Sequence, residues 1–236
     1  MNIGLVIAGG TGKRTQQEIP KQFINVHDKP ILLYTLEGFQ KHPDIHAIEL
    51  VCLDGWQEIV TAYARQFNIS KLKWVIAGGE TGQESICNGV NDLFQHCETD
   101  DIVIIHDGIR PLIDMAVVSD CIRVCKEFGN AVSSLPYNEQ IFKTNDGLTS
   151  TEYIPRETLR RVQTPQAYKL GMLYESYKKA FDKGIGIYGS SYTNTMMVEL
   201  GETLHFAAGS DKNIKITTAD DIELFKALLS ANNGKL

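Results

Sequence analysis

The chain has 236 residues, 43% of them hydrophobic and 22% charged, enough to bury a full core as one α/β domain. A formal net charge of −6 excludes a surface-wide basic field for nucleic acid and leaves room only for a local basic pocket. The apolar stretch in MNIGLVIAGG is too short to span a bilayer and lacks a basic leader, so a cytoplasmic chain without a membrane partner is expected.

Short apolar, β-branched runs alternate with longer amphipathic stretches, which predicts a mainly parallel sheet covered by helices. IGLVIAG (3–9) reads as a buried strand, followed by a polar loop to about Phe23. Residues 30–40 fit a helix with Pro30 in its first turn. Strands follow at 47–53 and 72–79, separated by a helix over about 57–67, and a helix runs over 85–95. DIVIIHDG (101–108) is the strongest strand, because four consecutive apolar residues deliver His106 and Asp107 to its end. A helix at 115–128 and a strand at 130–136 come next. The rhythm breaks at about 137–164, where NDG (145–147) signals a hairpin, and this segment is predicted to project as a β-arm. A helix over about 170–183, a strand over about 204–208 and a closing helix over about 218–229 complete a single domain, 1–236.

The five cysteines show no CxxC spacing. Cys121 and Cys125, four apart, fall on one helix face and read as buried, reduced thiols.

Ligands of open α/β sheets bind at the carboxyl ends of strands, so the turns there carry most information. The first is Ala8-Gly9-Gly10-Thr11-Gly12-Lys13-Arg14, with Lys21 seven residues beyond Arg14. Glycines let backbone N–H groups approach phosphate oxygens, and the cations supply charge. It is neither a Walker A loop, since Ile7 and Arg14 stand where glycine and Ser or Thr are needed, nor GxGxxG, since Thr15 replaces the last glycine. The second turn is His106-Asp107-Gly108-Ile109-Arg110-Pro111. Asp107 suits Mg²⁺ and Arg110 suits a phosphate; the plainer reading is a capping aspartate paired with the arginine. His106 reads as a structural hydrogen-bonder. The third combines Gly78, Gly79 and Ser85, either a base-reading loop or simply a turn before a helix. Thr218 and Asp221 form a capping-box pattern, and Lys215 is a further cation upstream of it.

AGGTGKR…PKQF, GG…S, HDGIRP, QTPQAY and NIKITT occur in this order over nearly the whole chain. The combination resembles the methylerythritol-phosphate and ribitol-phosphate cytidylyltransferases. That resemblance implies a Rossmann-like (GT-A-like) three-layer α/β/α nucleotidyltransferase fold, with CTP as substrate, Mg²⁺ as cofactor, and a homodimer formed through the arm. It implies that Ala8, Gly9, Gly10, Gly12 and Lys13 wrap the CTP phosphates, with Arg14, Lys21 and Lys215 as catalytic cations. Gly78, Gly79, Ser85, Asp107 and Gly108 would lie by the nucleotide, Asp107 also by the metal, Arg110 by the acceptor, and Arg156 would reach an acceptor phosphate across the dimer.

Three departures from the family pattern stand out. Gly82 occupies an arginine position, Tyr137-Asn138-Glu139-Gln140 replaces Asp-Thr, and Ser190-Ser191-Tyr192-Thr193-Asn194-Thr195 replaces an acidic segment. Retained CTP chemistry with a changed acceptor pocket is therefore expected, with Glu139, Gln140, Tyr192 and Asn194 as hydrogen-bonding candidates for a polyol phosphate destined for a surface polymer. Two alternatives remain: an enzyme acting on methylerythritol phosphate, and a non-catalytic CTP-binding protein.

Overall fold

The computed structural model describes residues 1–10, 19–189 and 192–233. The chain runs β1 (Asn2–Ala8), β2 (Asn25–Val26), β3 (Lys29–Pro30), α1 (Ile31–Lys41), β4 (Ala47–Cys52), α2 (Gln57–Gln66), β5 (Leu72–Ala77), α3 (Gly82–His96) and β6 (Ile102–Asp107). It continues through α4 (Met115–Phe128), β7 (Asn130–Pro136), β8 (Ile141–Lys143), β9 (Glu152–Ile154), β10 (Arg160–Lys169), α5 (Leu170–Lys183), α6 (Thr193–Glu199), β11 (Phe206–Ala208) and α7 (Ala219–Asn233).

Seven strands form one sheet in the order β11-β7-β10-β6-β1-β4-β5. All its pairs are parallel except the two made by β10, which lies antiparallel between β6 and β7. Alternate residues of each strand feed opposite faces, as a pleated strand requires. Val6, Leu50, Ile102 and Ile104 pack with residues of α1, α2 and α4, while Leu5, Val51, Val103 and Ile105 pack with residues of α3, α5 and α6. The three-layer sandwich expected from the sequence is therefore present. A third cluster joins Val26, Ile31 and Ile109 to Ile216, Ile222 and Phe225, seating α7 below the β2–β3 ribbon.

Several local expectations are corrected. Pro30 stands at the N-cap of α1 rather than inside it. The helix after the second glycine pair begins at Gly82, because Thr81 and Glu84 form a reciprocal capping box there. The NDG sequence does not make a two-residue turn. It sits in a longer loop, residues 144–151, where Asp146 accepts hydrogen bonds from the backbone N–H groups of Leu148 and Thr149 and from the hydroxyls of Thr144 and Thr149. The arm's return leads into β10, whose register with β7 shifts between Val162 and Gln166, around Pro165. Helix α6 had no sequence expectation.

The cysteines are free thiols. Cys121 Sγ contacts Pro165 O and Cys125 Sγ contacts Gly129 O, and burial pushes both thiols up to about 12, far from thiolate chemistry at neutral pH. Among the described residues no helix is long and apolar enough to cross a membrane.

Candidate active site

The carboxyl ends of β1, β6 and β5 bring the sequence-predicted turns together. Gly12, Lys13 and Arg14 lie outside the described residues. The ends of their loop are fixed, because the buried Gln22 side chain donates to Ala8 O at 2.8 Å and to Gly10 O at 3.0 Å. Lys21 opens the short 3-10 turn Lys21–Phe23 that carries Gln22. Gly9 packs against Gly78: a Cβ on Gly9 would stand 3.1 Å from Ser85 Oγ and 3.5 Å from Gly78 Cα, so side chains are excluded where the two loops meet.

Ser85, expected beside the nucleotide, also holds its own loop. Its Oγ donates to Thr81 O at 2.9 Å and accepts from Gly79 N–H at 3.0 Å. One proton is thereby committed, and the Gly78–Gly79 backbone is fixed for whatever packs on it.

Asp107 ends β6 as the centre of a charged cluster. Its Oδ2 meets Arg110 Nε at 2.9 Å and Lys215 Nζ at 3.1 Å. Arg110 also donates through Nη1 to Asn213 O at 2.8 Å, tying the strand end to the loop that carries Lys215. Burial alone would raise the Asp107 carboxyl, but Lys215 first and Arg110 second outweigh it and hold it below its ordinary value. Thr164 Oγ1 accepts from Asp107 N–H at 3.1 Å, so the irregular part of β10 reaches the site. His106 is buried and contacts Arg110 O through Nε2, and burial lowers it to about 4, so it is neutral at physiological pH. That matches a structural role.

A cavity of about 350 Å³ opens beside this cluster. Asp107, Thr164 and Gln166 line one part of it, Thr81 to Gln83 and Ile86 another, and Ile187 to Gly189 with Tyr192 and Thr193 a third. Lys215 Nζ lies 5.8 Å from the Tyr192 ring centroid, within cation–π range. Among the described residues, nothing lies within 4 Å of where a Cβ on Gly82 would stand.

Other acceptor candidates are elsewhere. Asn194 is buried, its Oδ1 accepts from Thr195 N–H, and it lines a separate hollow with Val198 and Leu204. Gln140 and Arg156 line a hollow in the arm with Phe142 and Tyr153, and Arg156 Nη1 donates to Asn138 O at 3.1 Å. Glu139 is likewise an exposed arm residue. Within one chain these three do not line the Asp107 cavity.

Residues 3–231 match the model of the family described as IspD: 2-C-methyl-D-erythritol 4-phosphate cytidylyltransferase. The chain belongs to this family. Among curated relatives, a ribitol-5-phosphate cytidylyltransferase of Lacticaseibacillus paracasei is 57% identical, over 97% of this chain and 98% of that protein. A 2-C-methyl-D-erythritol 4-phosphate cytidylyltransferase of Alkaliphilus metalliredigens is 34% identical, over 96% and 92%. Among solved structures, 4-diphosphocytidyl-2C-methyl-D-erythritol synthase of Anaerococcus prevotii superposes with a TM-score of 0.82 at 20% identity, covering 97% of this chain and 96% of that one, which shows the shared fold. As an IspD-family member the protein is a nucleotidyltransferase of the cytidylyltransferase class, using CTP.

Gln22, Gln83, Thr164, Tyr177 and Thr193 were not among the sequence candidates. Gln22 had a signal in its place beside Lys21; the others become visible only when distant segments meet.

Proposed function

We propose that this protein transfers CMP from CTP to ribitol 5-phosphate, giving CDP-ribitol and pyrophosphate. The reading rests on the convergence of Lys215 and Arg110 on Asp107 beside a cavity at the sheet's carboxyl edge, and the 57% identical relative favours the acceptor.

The chemistry follows from charge. A phosphate monoester has its second pKa near ~6, so the acceptor is already an anionic nucleophile at neutral pH and needs no general base. Its oxygen attacks the α-phosphorus of CTP, the bond from that phosphorus to the bridging oxygen breaks, and pyrophosphate leaves with the electron pair. No proton has to move. The barrier is the approach of one anion to another, and fixed cations lower it. Arg14, Lys21 and Lys215 take that role, with Lys215 aimed by its contact to Asp107. The glycine turn, held by Gln22, offers its backbone N–H groups to the triphosphate.

Among the described residues no group of three or more His, Cys, Asp or Glu side chains stands ready to hold a metal ion. A cation bound mostly through substrate phosphates with a single carboxylate does fit, since both protein cations contact Asp107 through Oδ2. Asp107 would hold Mg²⁺, which would neutralise charge on the triphosphate.

The arm exposes Phe142, Leu148, Tyr153 and Val162, an apolar set suited to a second copy. A homodimer through it would bring Arg156, and with it Glu139 and Gln140, toward the partner's cavity. Light scattering is expected to give a dimer; a fully active monomer would remove Arg156 from any cross-subunit role.

Incubation with CTP, Mg²⁺ and ribitol 5-phosphate tests the reaction directly. Phosphorus NMR is expected to show the two coupled signals of a CDP-alcohol growing with pyrophosphate. CTP bound without turnover on any polyol phosphate or on methylerythritol 4-phosphate would favour a binding protein.

A further inference from the structure

Three buried side chains at the floor of the cavity form a relay whose every proton can be assigned. Tyr177, fully buried on α5, places its hydroxyl 2.9 Å from Gln83 Oε1 and 2.8 Å from Thr193 Oγ1. Gln83 Nε2 lies 2.7 Å from Gly186 O. A carbonyl only accepts, so the Gln83 nitrogen must face Gly186 and its oxygen must face Tyr177. That oxygen also only accepts, so the single phenolic proton goes to Gln83. Thr193 must then donate its own proton to Tyr177.

Among the described residues, two capacities are left over: the second N–H of Gln83 and the lone pairs of Thr193 Oγ1. Both residues line the cavity, at 4% and 2% exposure. Ile7, Ile86, Ile105 and Ile187 add apolar wall to the cavity, which also carries Thr81, Asp107, Thr164 and Gln166. A spare donor and a spare acceptor in such a setting are matched together by one simple group, the hydroxyl, which both accepts and donates. A methyl or bare methylene would leave both unpaired, and a site built for a hydroxyl rejects the analogue lacking it strongly.

We propose that Gln83 and Thr193, aligned by Tyr177, form a hydroxyl-reading subsite for the acceptor's carbon chain, with Tyr177 as the positioning residue. The proposal rests on the reading of the protein as a polyol-phosphate cytidylyltransferase. It gives the fold a device for telling a chain with a hydroxyl at this place from one with an apolar substituent, apart from the charged groups at Asp107.

The test is steady-state kinetics on the full-length protein, with Tyr177→Phe and Thr193→Val checked for folding by thermal melting. Each variant is expected to raise the KM for ribitol 5-phosphate about tenfold, the effect of one lost hydrogen bond, while the KM for CTP stays within about twofold and kcat falls less than the acceptor KM rises. Within the monodeoxy derivatives of ribitol 5-phosphate, one is expected to bind the wild-type protein about tenfold more weakly, with no further loss in Thr193→Val. An unchanged acceptor KM in both folded variants overturns the proposal. So does a rise confined to the KM for CTP, which would assign the pair to the nucleotide, or an equal fall of all parameters. If the wild-type protein uses methylerythritol 4-phosphate instead, the functional reading fails on its own. The same KM comparison on that hydroxyl-bearing acceptor still decides the subsite.

Discussion

The carboxyl edge of the sheet and its middle treat a carboxyl group in opposite ways. Asp107, at the end of β6, has two cations on one oxygen and is held below its ordinary value. Glu49 lies inside β4, with β1 between the two strands, and is fully buried. Among the described residues neither of its oxygens has a hydrogen-bond partner; burial first and the Asp92 charge second push it up to about 9, so it is a neutral acid at physiological pH. Loops beyond a strand end can deliver cations, whereas the middle of a sheet under a helix can only neutralise. Working charge in this fold is therefore confined to the edge where the substrate phosphates are proposed to sit.

Removing a cation from the edge should have the largest effect. Lys215→Met is expected to lower kcat about 10²–10³-fold, measured as pyrophosphate release, with the protein still folded by circular dichroism. A wild-type kcat would make Lys215 an ordinary solvated lysine.

Changing the middle should alter stability, not chemistry. Because the folded-state value of Glu49 lies above its unfolded one, the group's contribution is intact below about 4.5 and is lost as pH rises toward about 9. Glu49→Gln cannot ionise. It is expected to exceed the wild-type protein by about 1–3 kcal/mol in urea unfolding at pH 8, with the gap narrowing toward pH 5. A gap that widens on acidification would mean that Glu49 is ionised in the fold.

Smaller effects sharpen the contrast. Ser85→Ala leaves Gly79 N–H without its acceptor, while Thr81 O keeps the Ser85 backbone N–H, and should cost about 1 kcal/mol, together with a severalfold rise in the KM for CTP. Lys143→Ala breaks an ion pair with Glu152 whose side chains are 58% and 62% exposed, and should change unfolding by less than about 0.5 kcal/mol. A larger loss there would show that the arm is covered in solution, as the proposed dimer requires.

The strands of the parallel half were readable because each is a compact apolar run between turn residues. β10 was not, since Pro165 normally argues against a central strand, and here the register shift around that proline absorbs it. α6 opens with Tyr192 and Thr193, without a usual N-cap residue, so its start carried little signal. Within the site, Asp107 and Arg110 announced themselves by spacing, because a strand end presents both. Gln83, Tyr177 and Thr193 did not: 94 residues separate the first two, and only the packing of α3 on α5 joins them. Asn194, expected as an acceptor contact, stands next to Thr193, which lines the cavity beside Asp107. On a helix one residue is a rotation of about 100°, which turns Asn194 into the protein and Thr193 onto the cavity.

The most direct test of the central claim is the ratio of kcat/KM for ribitol 5-phosphate to that for methylerythritol 4-phosphate, measured with saturating CTP and Mg²⁺. A ratio above about 10 is expected, because the two acceptors share their phosphate chemistry and differ in chain length and in the apolar methyl branch, a difference a fitted pocket separates by about 10–200-fold. A ratio below one would contradict the account, leaving the cytidylyl transfer in place and the acceptor wrong.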